Sequence, residues 1–121
     1  MVSEHSYKEY DIELEAVRAQ LLKMGGLVEE NILLAIESLK KDDVELANKV
    51  IKTDDAVNKL EMEIDEAASR IIAKRQPTAG DLRMIIMILK AITDLERIGD
   101  EATKIARTTI DRKSTRLNSS H

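Results

Sequence analysis

Apolar residues return along the chain at steps of three and four, interrupted twice by short polar stretches, and this pattern predicts three amphipathic helices. In the first segment Tyr10, Leu14, Val17, Leu21, Met24, Val28 and Ile32 share a face, which places a helix at about residues 7–39. The run Lys40-Lys41-Asp42-Asp43 ends it, with cations near one helix C-terminus and an aspartate placed to cap the next N-terminus, as the helix dipole favours. Val44, Ala47, Val50, Ile51, Val57, Leu60, Ile64, Ala67, Ala68 and Ile71 mark a second helix over about 43–74. Pro77 follows it, and Thr78 with Asp81 three residues on resembles a capping box in which Asp replaces the usual Glu. The third helix is expected over 79–108, through Leu82, Ile85, Ile86, Leu89, Ile92, Leu95, Ile98, Ala102 and Ile105.

Helices of matched length, each about 45 Å long at about 1.5 Å per residue and joined by tight turns, predict an all-α fold. The expected architecture is an antiparallel up-down-up three-helix bundle over residues 1–110. A helix pair dimerising as a coiled coil is the competing arrangement. Gly25 and Gly26 lie inside the first helix at a cost of about 1 kcal/mol each relative to Ala, which suggests close approach of a neighbouring helix or a local bend.

Composition supports the helical reading. Four Gly and one Pro leave too few turn residues for an all-β fold, and the apolar set is almost wholly Leu, Ile, Val, Ala and Met. With no cysteine there is no disulfide, thiolate ligand or cysteine nucleophile, which agrees with a reducing compartment. The N-terminus lacks the basic-then-apolar order of a secretory signal. The most apolar window, Leu82 to Ile92, is about half the roughly 20 residues of a membrane span and contains Arg83 and Lys90. A cytoplasmic location is expected.

Residues 111–121, DRKSTRLNSSH, break from this pattern. They match the in-frame translation of a commonly used sequencing-adapter oligonucleotide, so the segment is expected to be adapter-derived and disordered, with a natural chain that continues differently past Ile110. Setting aside Arg112, Lys113, Arg116 and Asp111 removes a net +2 from a total of −4 and leaves −6. An acidic chain with no clear basic patch does not suit nucleic acid as its main partner.

The candidate chemistry lies in the third helix, where Asp94, Glu96, Asp100 and Glu101 crowd together. Glu96 and Asp100 are four apart and share a face, and a hard cation would turn their repulsion into coordination. Spacing alone does not single them out, because Glu9/Glu13, Asp11/Glu15 and Glu61/Asp65 repeat it as an ordinary solvated surface would. Antiparallel packing about a turn near residue 78 sets 96 and 100 level with about 60 and 56, beside Asp54, Asn58 and Glu61. Five oxygen-bearing side chains then converge across one helix pair. A di-iron enzyme of the ferritin-like kind needs Glu-x-x-His pairs, and the two histidines, His5 and His121, sit at the chain ends. A structural oligomerisation module would need only the apolar stripes.

The strings MGGLVEENI (24–32), IDEAASRIIAKRQPTAGDLRMI (64–85) and DLERIGDEATKIART (94–108) resemble the N-terminal half of the PhoU family over about residues 14–108. The resemblance implies one of two similar three-helix bundles, each with an acidic Glu/Asp-x-x-x-Asp motif that in some members holds a multinuclear iron or zinc cluster. Glu96-Arg97-Ile98-Gly99-Asp100 fits that motif, and the companion Asp-x-x-x-Asp falls at Asp54 to Asn58, where Asn is a neutral ligand. Manganese or magnesium are further candidates. The family resemblance implies a cytoplasmic, non-catalytic and often dimeric regulator. Its implied partners are the ATPase subunit of the phosphate ABC transporter and the phosphate-sensing histidine kinase, and its implied effect is repression of the phosphate-starvation regulon. The second bundle is absent, so the chain is expected to be the first half of a longer protein.

Overall fold

The computed structural model describes the backbone of residues 4–119 and the side chains of residues 7–117. Its elements are α1 (Glu4–Lys41), α2 (Val44–Arg75) and α3 (Ala79–Ser119), with no strand among the described residues. Each helix packs against both others, so the three form an up-down-up bundle.

Two short turns set the register. At the first, Asp42 adopts a left-handed conformation (φ 53°), and the Asp43 amide donates to the Ser38 carbonyl at 2.9 Å, which closes α1 in a Schellman-type cap. Asp43 then caps α2, its Oδ1 accepting from the Leu46 amide at 3.0 Å. At the second turn Gln76 is left-handed (φ 47°), and Thr78 Oγ1 accepts from the Asp81 amide at 3.3 Å. Only this half of the expected capping box is found, because the Asp81 carboxylate is engaged elsewhere: Tyr10 Oη donates to its Oδ2 at 2.6 Å. That bond ties the start of α1 to the start of α3. Beside it Arg75, near the end of α2, bonds Glu13 at 2.7 Å and holds its carboxyl below the usual range.

The core is graded along the bundle axis. Around Met24, Ile64, Ile71 and Ile85 it is built of large aliphatic side chains. Toward the α1–α2 turn it becomes small, with Ala35, Ala47, Ala102 and Ala106 around Val50. Small residues let backbones approach, and polar groups enter: Ser38 and Thr109 hydroxyls lie 3.0 Å apart, and Asn31 Nδ2 donates to the Val50 carbonyl at 3.1 Å.

Three expectations need correction. Ile86 and Ile98, placed on the buried stripe of α3, are exposed, and Ile88 is buried in their stead, since α3 turns its face toward both neighbours at once. Gly25 and Gly26 are not sites of close approach, for a Cβ added at either meets nothing within 4 Å. Finally, α3 continues to Ser119, through the segment expected to be disordered. An established helix adds one hydrogen bond for each residue it fixes, and Arg116 anchors this extension by two bonds to the Asp42 carboxylate, at 2.6 and 2.9 Å. Residues 111–117 are otherwise exposed.

Burial and the Asp81 contact push the Tyr10 pKa up to about 12. A group whose acid form the fold prefers contributes stability that is lost as pH rises from the unfolded value toward the folded one. Tyr10→Phe is therefore expected to cost about 1 kcal/mol at neutral pH and to abolish one component of the loss of stability between about pH 10 and 12, as read by urea unfolding.

Candidate functional site

The candidate carboxylates lie along the seam between α2 and α3, where three features of the sequence place them. The α2–α3 turn sets the register, the spacing of four within each helix stacks the side chains, and Gly99 removes a Cβ from the contact. A Cβ at Gly99 would lie 3.0 Å from Asp54 Oδ1 and 3.9 Å from Val57 Cγ1. The missing side chain lets the Asp54 carboxylate reach the α3 backbone, and Asp54 is 8% exposed.

Around this contact the site is layered by depth. Asp54 lies at the back, Glu61 and Glu96 are half-buried, and Asn58 and Asp100 stand at the surface. Burial raises the Asp54 pKa, the Asp100 charge adds to it, and the nearby Thr103 hydroxyl and Asn58 amide hold it down. Thr103 Oγ1 is buried and makes no hydrogen bond of good geometry, so its hold on Asp54 is weak. Glu61 is pushed up to about 7, first by burial, then by sharing a proton with Glu96 and by the charges of Glu96, Asp65 and Asp100.

Two carboxyl oxygens, Asp54 Oδ1 and Glu61 Oε2, are buried with no hydrogen-bond partner. Such atoms are costly unless a proton or cation meets them. The donor set is entirely oxygen, which suits hard cations such as magnesium, manganese or iron better than zinc, whose usual ligands are sulfur and nitrogen. The fit is that of an open site: among the described residues no group of three or more His, Cys, Asp or Glu side chains closes around one point. The strongest carboxylate influences run between Glu61 and Glu96 and between Asp54 and Asp100, acids that lie one turn apart on α3 and two turns apart on α2. A cation held by such a pair keeps water on its remaining positions. The His5 side chain and His121 lie outside the described residues.

The PhoU domain family matches residues 21–109, which include all five candidate residues. The chain belongs to the PhoU family. It is 50% identical over 93% of its length to the phosphate-specific transport system accessory protein PhoU of Serratia marcescens, covering 46% of that protein. To the PhoU protein of Escherichia coli K12 it is 48% identical, again over 93% of this chain and covering 47% of that one. The crystal structure of PhoU from Pseudomonas aeruginosa superposes with a TM-score of 0.82 at 52% identity, covering 84% of this chain and 49% of that one. The chain thus spans about half the length of the PhoU proteins it matches.

Within this PhoU domain the residues that sequence reasoning overlooked are Gly99, Thr103 and Asn31. Gly99 carried a legible signal, since a glycine inside a helical pattern marks close backbone approach. Thr103, one turn beyond it, and Asn31, buried on α1 with its Oδ1 unpartnered, read as ordinary helix residues until the three helices are assembled.

Glu61→Gln supplies a permanent N–H donor to Glu96 and removes one buried charge. In EDTA at pH 8 the variant is expected to be more stable than wild type by about 1 kcal/mol, as read by thermal unfolding. Because the folded state raises the Glu61 pKa, wild type in EDTA should lose stability as pH climbs from about 5 through 7, and Glu61→Gln should not. Gly99→Ala, which would gain about 1 kcal/mol in an open helix, should gain less or lose, because Asp54 must shift to admit the methyl group.

Proposed function

We propose that this chain is the regulatory, cation-binding half of a phosphate-specific transport accessory protein, acting by docking rather than by turnover. The observation that carries the reading is the pair of partnerless carboxyl oxygens, Asp54 Oδ1 and Glu61 Oε2, buried in a seam that also holds Glu96 and Asp100. The pair Glu61/Glu96, the pair Asp54/Asp100, or both would hold an iron, manganese, magnesium or zinc cation, or together a multinuclear cluster, completed by water, with Asn58 as a neutral oxygen ligand at the mouth. Such a cation neutralises the seam and stiffens the α2–α3 contact.

The relatives are named as accessory proteins of phosphate-specific transport, which supports a role in phosphate uptake for this chain. In that role the intact protein is a cytoplasmic dimer that links the ATPase subunit of the phosphate ABC transporter to the phosphate-sensing histidine kinase. It restrains uptake and represses the starvation regulon when phosphate is plentiful. No helix among the described residues is long and apolar enough to cross a membrane, which suits an adaptor that reaches the bilayer through its partners.

Two measurements test this reading. Metal analysis of purified protein should find a transition metal or magnesium bound to wild type and at least about tenfold less affinity in Glu96→Ala/Asp100→Ala. Equal, negligible metal in both removes the cation part. Binding of the chain and its full-length relative to the transporter ATPase subunit and to the kinase tests the adaptor part, and no interaction with either rejects it.

A further inference from the structure

The core of the bundle is not continuous. Its buried apolar side chains fall into two separate clusters, one around Met24, Ile64, Ile71 and Ile85, and a smaller one of Ala35, Ala47, Val50, Ala102 and Ala106 nearer the α1–α2 turn. Between them each helix contributes one buried polar side chain: Asn31 from α1, Asp54 from α2 and Thr103 from α3, which are 1%, 8% and 6% exposed. Asn31 Nδ2 donates to the Val50 carbonyl at 3.1 Å, and within α2 that carbonyl is the acceptor for the Asp54 amide. Asp54 in turn lies against Gly99, and Thr103 follows Gly99 by one turn. The three therefore form a layer across the bundle. Each leaves a buried atom without a partner: Asn31 Oδ1, Asp54 Oδ1 and Thr103 Oγ1.

Such a layer joins the clusters poorly. Apolar contact is interrupted there, and the orphaned atoms regain water whenever the layer is exposed. The two sides are also unequal. The larger cluster buries Ile, Leu, Val and Met side chains, whereas the smaller is mostly Ala, which gains little from burial. The bulkier residues packed on the small cluster, such as Ile32, Ile51 and Ile105, are only half-buried. Ser38 and Thr109 hydroxyls occupy part of its interior. Beyond it the ion pair of Arg116 with Asp42 is solvent-exposed, a kind of contact that contributes little. Proteins open first where apolar burial is sparse.

We propose that the bundle consists of two cooperative units meeting at the Asn31–Asp54–Thr103 layer, and that the end carrying the α1–α2 turn opens as a unit while the other end stays folded. Opening parts Asp54 from Asp100, which stand at the boundary, and leaves Glu61 against Glu96 inside the larger unit. One half of the carboxylate seam is then severable and the other permanent. The inference rests on the core alone and is tested in EDTA, so it stands whether or not the seam holds a cation.

Native-state hydrogen exchange of the whole chain, followed by nuclear magnetic resonance at rising urea below the unfolding midpoint, provides the test. After correction for intrinsic rates, the amides of Ala35, Val50 and Ala106 should exchange together, at least about tenfold faster than those of Met24, Ile71 and Ile88 and with a shallower dependence on urea. Ile64→Val trims the larger cluster and should speed the second group about fivefold while leaving the first unchanged, because the small end opens without unfolding the surroundings of Ile64. Thr103→Val keeps the shape but removes the orphaned hydroxyl, and should slow the first group about threefold. Equal acceleration of both groups by Ile64→Val means a single cooperative unit and overturns the proposal. So does exchange that rises smoothly toward the turn without a step at the layer, which is fraying, or an unchanged rate in Thr103→Val, which puts the division elsewhere.

Discussion

The structure turns on the approach of α2 to α3 at Gly99. The space left by one missing Cβ admits the Asp54 carboxylate to 3.0 Å from where that atom would stand, and along the same seam Glu61 lies against Glu96. Carboxylates so placed repel one another and lose solvent together. The cost is visible in Glu61, pushed up to about 7, and in Asp54, raised by burial and by Asp100. Protons can meet that cost in part, as between Glu61 and Glu96. A cation would meet it in full, and would do so only where register, depth and the glycine coincide.

Much of this was legible because α-helical arithmetic is rigid. Turn residues fix where each helix starts, and with about 1.5 Å of rise per residue the register of an antiparallel pair follows from the turn between them. Thus the sequence alone sets Glu96 and Asp100 level with the 54–61 stretch, and Glu61 does lie against Glu96. What periodicity could not resolve was azimuth. A helix touching two neighbours buries a broad arc, and Ile86 and Ile98 fit a stripe drawn through α3 as well as Ile88 does. Only packing decides which of them faces inward.

The glycines show the same division. Gly25, Gly26 and Gly99 lie in helix interiors, and propensity treats them alike. At Gly99 the reason is internal, a carboxylate in contact, whereas at Gly25 and Gly26 the inner side offers no reason at all. The end of α3 was missed for a separate cause. Residues 111–117 lack an apolar stripe, but they follow a formed helix, and Arg116 reaches the Asp42 carboxylate at the α1–α2 turn. A bond between elements some seventy positions apart leaves no trace in local pattern.

Cation binding in the α2–α3 seam is read by manganese titration of the isotope-labelled chain, followed by nuclear magnetic resonance. Paramagnetic broadening should begin at substoichiometric metal and stay confined to amides around Asp54, Asn58, Glu61, Glu96 and Asp100. Broadening that reaches Glu9, Glu13 and Glu15 at the same metal concentration, or that appears nowhere, would mean that the seam is not a cation site.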